Sequence, residues 1–217
     1  MKYELIIFDM DGTILDSLKD LQAAVNFSMK KHGFPEKTYE EMKWLLGRGM
    51  PYLIHHALPE GTDEETYQKA FDDFLSYYAE HDEDTTAPYE GIPEVVKALK
   101  DAGFRIAVNS NKNDREAGVL AEHYFPGLFD FVLGSRPEIE KKPSPEGVNL
   151  IEKEFGVDKS KTIYIGDSDI DLQTALNSEV QFIGCHWGFR GKDFLLKNGA
   201  KHVAEKPADL VKIVQAL

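Results

Sequence analysis

Near the start of the chain, Leu5-Ile6-Ile7-Phe8 runs directly into Asp9-Met10-Asp11-Gly12-Thr13. An apolar run of strand length thus ends abruptly in two carboxylates, followed by a glycine. On an extended strand alternate residues face the same side, so Asp9 and Asp11 project together while Met10 turns away. Gly12 lets the backbone turn sharply without a Cβ penalty. Two carboxylates crowded at a strand tip are costly unless a metal or a shared proton relieves their repulsion. That cost is the first pointer to chemistry.

The pattern after this stretch changes twice. Ser17 is placed to cap a helix running to about His32, where Gly33 ends it. More helix follows, broken at Gly47-Arg48-Gly49, and Thr62-Asp63-Glu64-Glu65 reads as a capping box for a helix to about His81. Residues 17–85 therefore read as one all-helical insertion. From Pro88 onward strands and helices alternate. Strands are predicted over 104–109, 129–133, 162–166 and 180–184. Helices are predicted from Pro93 to near Gly103, from Asn113 to Tyr124, from Ser144-Pro145-Glu146 onward, from the end of the third of these strands to about Ser178, and from Pro207 to Leu217. Alternating β and α units imply an α/β fold, a doubly wound parallel sheet covered by helices on both faces. Residues 1–16 and 86–217 would form that core.

Composition limits the partners. The chain has 217 residues, 42% hydrophobic and 29% charged, enough for a core plus a substantial insertion. A net charge of −13 with no basic stripe argues against nucleic acid. It leaves room for a phosphorylated small molecule, which needs only a local cluster of cations and N–H donors. The single cysteine, Cys185, excludes an internal disulfide and fits a reducing compartment. No signal peptide is expected before the first strand, and no apolar run approaches the ~20 residues of a membrane span. The expectation is a cytoplasmic protein with no membrane partner, monomer or homodimer.

In open α/β sheets ligands bind beyond the carboxyl ends of the strands. Those positions hold Asp9 and Asp11; Ser110, Asn111 and Lys112; and Gly166-Asp167-Ser168-Asp169-Ile170-Asp171, with Lys141-Lys142-Pro143-Ser144-Pro145 just before the helix that feeds the last of these. A calcium-loop reading of Asp167 to Asp171 fails, because the sixth position is Leu172 instead of glycine and the twelfth is Ser178 instead of glutamate. The order of groups resembles the haloacid-dehalogenase-like superfamily. Its D-x-D-G-T motif matches Asp9 to Thr13, its Ser/Thr motif matches Ser110, its K-P-x-P lysine matches Lys142, and its G-D-S-x-x-D motif matches Gly166 to Asp171. The insertion looks like that family's cap domain, which would close over the site and exclude water. Gly47-Arg48-Gly49 is similar to the substrate loop of the phosphoglycolate phosphatases within it.

The resemblance implies a Mg²⁺-dependent phosphatase acting on a small phosphorylated metabolite. Asp9 would attack phosphorus, and Asp11 would protonate the leaving oxygen and then activate water. Asp9, Asp167 and the Asp11 carbonyl would hold the cation, with Asp171 assisting directly or through water. Lys142 would neutralise charge; Ser110, Asn111 and N–H groups near Met10 and Asp11 would bind phosphoryl oxygens; Arg48 would meet a substrate carboxylate. A phosphomutase and a phospho-ligand binding module without turnover are the alternatives. Two residues depart from the family pattern: Glu179 stands at a usual glycine, and Glu90 at a common proline.

Overall fold

The computed structural model describes residues 2–217. It divides into two compact units, Met1–Leu15 with Pro88–Leu217, and Asp16–Ala87. The second unit is all-helical apart from the chain ends, with α1 (Leu18–Lys31), α2 (Tyr39–Leu45), α3 (Met50–Ala57) and α4 (Glu64–His81). Ser17 holds the N-cap position of α1, but its side chain makes no capping hydrogen bond. The tie at this end comes from Asp20 instead. Its carboxylate is buried and accepts from the Thr85 N–H (2.9 Å) and Oγ1 (2.6 Å) and from the Thr86 N–H (2.7 Å) and Oγ1 (2.7 Å). The helix at 64 is capped by Asp63, whose Oδ1 accepts from the Thr66 N–H. A reciprocal capping box forms two helices earlier, at the start of α2, between Thr38 and Glu41.

The first unit holds a six-stranded parallel sheet: β1 (Leu5–Phe8), β2 (Arg105–Asn113), β3 (Phe131–Ser135), β4 (Thr162–Gly166), β5 (Gln181–Cys185) and β6 (Val203–Ala204). In space they run β3-β2-β1-β4-β5-β6. This is the doubly wound order, whose direction reverses between β1 and β4. Helices α5 (Ile92–Asp101), α6 (Asp114–Tyr124), α7 (Glu146–Phe155), α8 (Asp169–Ser178), α9 (Gly191–Lys197) and α10 (Pro207–Ala216) connect the strands or follow them.

Every residue of β1 is fully buried, and the strand's alternation sorts its side chains between two cores. Ile6 and Phe8 pack with Val96, Leu99, Leu120 and Val214 from α5, α6 and α10, whereas Leu5 and Ile7 pack with Val148, Ile151, Ala175 and Leu195 from α7, α8 and α9. Phe8 lies opposite both Val108 and Ile165. The residues that follow each of these three strand positions therefore emerge at one edge.

Some boundaries move. The third strand starts at Phe131, two residues late, because Phe129 is used for packing, its ring edge-on to Phe8 and Phe125, and Asp130 caps the Ile106 N–H. Pro145, not Ser144, is the N-cap of α7. Helix α9 and strand β6 were not expected. Among the described residues, no helix is long and apolar enough to cross a membrane.

Candidate active site

The site lies at the point where the strand order reverses. The Asp9 N–H continues the ladder to the Ile165 carbonyl at 2.9 Å, which sets the Asp9 side chain beside the end of β4. Carboxylate oxygens of Asp9, Asp167 and Asp171 lie within 4.8 Å of one another, and all three residues are buried. The sequence separates Asp9 from the other two by most of the chain, and the parallel register brings them together.

Each acid is held differently. Asp171 is the third residue of α8, and its Oδ2 accepts from the Ser168 N–H (3.0 Å), Ser168 Oγ (2.6 Å) and the Asp167 N–H (3.2 Å). Its Oδ1 accepts from Lys142 Nζ at 2.7 Å. Asp167 accepts from Thr13 Oγ1 at 2.9 Å and from the Phe189 N–H at 2.7 Å. Asp9 Oδ1 pairs with Lys142 Nζ at 2.7 Å. Gly12, at φ +86°, lets the chain turn over Asp167, where a Cβ would fall 2.6 Å from Asp167 Oδ2.

Lys142 is caged. Its ammonium bridges Asp9 and Asp171 and lies 5.8 Å from the centre of the Tyr164 ring. Its main chain is gripped by Asn111, whose Oδ1 accepts from the Lys142 N–H (2.9 Å) and whose Nδ2 donates to the Lys142 carbonyl (3.1 Å). The side chain of Asn111, expected on the phosphate, thus fixes the backbone of the lysine.

The electrostatics follow from crowding without water. Burial first, then the charges of Asp171 and Asp167, push the Asp9 carboxyl well above the usual carboxylate range, although Lys142 pulls the other way. Burial and Asp171 raise Asp167 to about 7. Burial opposes charge on Lys142, but Asp171 and Asp9 outweigh it and the ammonium is held well above its usual range. Lys142 thus pairs with two of the three buried acids, while the charge of Arg190 acts on the third, Asp167. An all-oxygen donor set with surplus negative charge suits a hard divalent cation such as Mg²⁺. The residues present fit one.

The remaining predicted positions vary. Asp11 is partly exposed, and its Oδ1 lies 3.8 Å from Nζ of Lys112, a buried lysine to which the sequence reading gave no role. Ser110 is buried at the end of the regular part of β2, its Oγ accepting from the Lys112 N–H at 3.1 Å. The Met10 side chain is fully buried in the apolar core, so only its main chain could meet a ligand. Arg48 belongs to the helical unit, with its guanidinium over the Tyr52 ring at 5.3 Å. Asp169 is at the first position of α8 and pairs with Arg190 Nε at 2.9 Å. The segment Trp187–Arg190, which sequence reasoning missed, contacts Thr13, Asp167 and Asp169.

Comparison with known proteins agrees with this geometry. A phosphoglycolate phosphatase of Pseudomonas syringae pv. tomato is 31% identical over 220 residues, covering 99% of this chain and 78% of that protein. One from Aquifex aeolicus is 31% identical over 216 residues, covering 97% and 96%. The crystal structure of a candidate phosphoglycolate phosphatase from Lactobacillus delbrueckii subsp. bulgaricus superimposes with a TM-score of 0.94 at 36% identity, covering 99% of each chain. The family model of haloacid dehalogenase-like hydrolases matches residues 6–185, from the strand that delivers Asp9 to the strand beyond Asp167. On that match and these relatives, the chain belongs to the haloacid dehalogenase-like hydrolase family.

Proposed function

We propose that this chain is a phosphatase that hydrolyses a small phosphoric monoester through a phosphoryl group carried on Asp9. The observation that carries the reading is the convergence of Asp9, Asp167 and Asp171 at the sheet edge, with Lys142 bridging Asp9 and Asp171. Asp9 and Asp167, with the Asp11 carbonyl, would hold Mg²⁺, and Asp171, already engaged by Lys142 and Ser168, backs them. The cation would neutralise the phosphoryl oxygens and let an anionic nucleophile approach.

A carboxylate oxygen of Asp9 attacks phosphorus as the bond to the ester oxygen breaks, and Asp11 gives its proton to the departing alkoxide. Asp11 then takes a proton from the water that attacks the acyl phosphate. Inorganic phosphate leaves and the Asp9 carboxylate is restored. Lys142 keeps Asp9 oriented and compensates the transferring group's charge, while Ser110 and main-chain N–H groups take phosphoryl oxygens. Two relatives named as phosphoglycolate phosphatases make a short phosphorylated carboxylate the first substrate to try. The buried free thiol of Cys185 suits a reducing compartment such as the cytoplasm.

Phosphate release from a panel of monoesters that includes 2-phosphoglycolate tests the reading. Release that stops with chelator, returns with Mg²⁺ and is lost in Asp9→Asn is expected. A product that keeps its phosphate at a new position would show a mutase, and saturable binding without release would show a binding module.

A further inference from the structure

The loop after β5 is outside the four motifs and beyond the span matched by the family model, yet it touches the site at two levels. The half-buried Trp187 donates its indole N–H to the Thr13 carbonyl at 3.0 Å. Thr13, fully buried, donates its hydroxyl to Asp167 Oδ1 at 2.9 Å. Two residues after Trp187, the Phe189 N–H donates to Asp167 Oδ2 at 2.7 Å. Both oxygens of Asp167 are therefore aimed by groups that this one loop holds.

The contact leaves no slack. Between the two donors, Gly188 brings its backbone so close that a Cβ there would fall 2.2 Å from Asp167 Cβ and 2.4 Å from the Gly12 carbonyl oxygen. The Trp187 ring is itself braced by Tyr89, at 6.4 Å between ring centres, and the Tyr89 N–H donates to the Ile14 carbonyl at 3.1 Å. Two aromatic residues thus fix the consecutive carbonyls of Thr13 and Ile14, just past the Asp9–Gly12 turn.

We propose that Trp187 is a positioning residue for cation binding: its indole N–H fixes Thr13, whose hydroxyl fixes the Asp167 carboxylate. Groups that orient a ligating carboxylate from behind set metal affinity as the ligands themselves do, typically by about 10- to 100-fold. Trp187 acts one bond further back, through a neighbour whose carbonyl and hydroxyl report to different partners. Its effect should therefore be at or below the lower end of that range. The inference rests on the reading that Asp167 ligates the cation.

The test is Mn²⁺ binding to the full chain without substrate, followed by the paramagnetic signal of the free ion. Trp187→Phe keeps a ring against Tyr89 and removes only the donor. It should weaken Mn²⁺ binding by about 3- to 10-fold while the melting temperature in chelator stays near that of the wild type. Thr13→Val should weaken binding further, and the double variant should bind no worse than Thr13→Val alone, because the two changes cut one chain of contacts. Should Trp187→Phe fail to fold, 3-benzothienylalanine at position 187 has the shape of tryptophan without the N–H and is expected to give the same loss. Wild-type affinity in a folded variant lacking the donor would overturn the proposal, as would additive losses in the double variant. Asp167→Asn that binds Mn²⁺ as tightly as wild type would instead overturn the ligand reading, and with it this one.

Discussion

Two buried constellations of aspartate in this molecule are built on opposite principles. In the helical unit Asp20 is a single carboxylate ringed by N–H and O–H donors of Thr85 and Thr86. Burial disfavours its charge, but those hydrogen bonds outweigh it and the carboxyl is held below its usual range. At the sheet edge, Asp9 and Asp167 face other carboxylates, and both are held above it. The first arrangement is complete as it stands, and its charge stabilises the fold. The second is destabilised by its own charge until something positive arrives, which is the condition expected of a site made to bind.

Breaking the second arrangement should have the largest effect. Lys142→Met removes the ammonium that bridges Asp9 and Asp171. Phosphate-release kinetics should show turnover down by about 10²–10³-fold. Urea unfolding of the metal-free protein should show a loss on the order of 3–5 kcal/mol, because unpaired buried charge is left behind.

Asp20→Asn attacks the first arrangement. It should cost about 2–3 kcal/mol in urea unfolding, since charge-assisted bonds to Thr85 and Thr86 are weakened and an amide donor faces other donors. The pH dependence separates charge from shape. A lowered folded pKa contributes stability that is fully present above the unfolded value of about 3.9. The gap between wild type and Asp20→Asn should therefore be constant near neutrality and close as pH falls through the lower, folded value.

The sheet-edge acids should show the reverse sign. In chelator, Asp167 keeps its proton up to about 7 in the folded state, whereas the unfolded chain releases it near ~3.9. The folded state binds more protons across that window, so its stability should fall as pH rises from about 4 to about 7. Added Mg²⁺ should accordingly raise the melting temperature more at pH 8 than at pH 5, which scanning calorimetry would show. An equal gain at both values would mean that the acids are not what the ion meets.

Glu179 offers the smallest contrast. It ends α8 in the left-handed region, at φ 58°, where a glycine carries no Cβ penalty. Its ion pair with Lys159 lies at the surface, and such pairs contribute little. Glu179→Gly should stabilise by about 0.5–1 kcal/mol without changing turnover, measured by urea unfolding and phosphate release.

How legible these features were depended on how far apart in sequence their parts lie. Thr162–Gly166 could be read to the residue, because an apolar run ending in glycine signals its own limits. The acids were legible because each ends or follows a strand, and a parallel sheet aligns strand ends. The hold of Asn111 on the Lys142 main chain was not legible, because nothing local links it to a backbone 31 residues away. Asp20 and Trp187 passed unnoticed for the same reason: their partners lie up to 66 and 174 residues away. Ser17 shows the converse, a good local signal for a cap whose bond is not made. The Thr38-Tyr39-Glu40-Glu41 capping box was readable in the sequence and simply overlooked.

The central claim is that Asp9 is the group that takes the phosphoryl. Rapid acid quenching of turnover on 2-phosphoglycolate, followed by peptide mass analysis, tests it directly. A phosphoryl adduct on Asp9 that forms and decays at the pace of turnover is the predicted result. Steady phosphate release with Asp9 unmodified throughout, or with the adduct on another side chain, would contradict it.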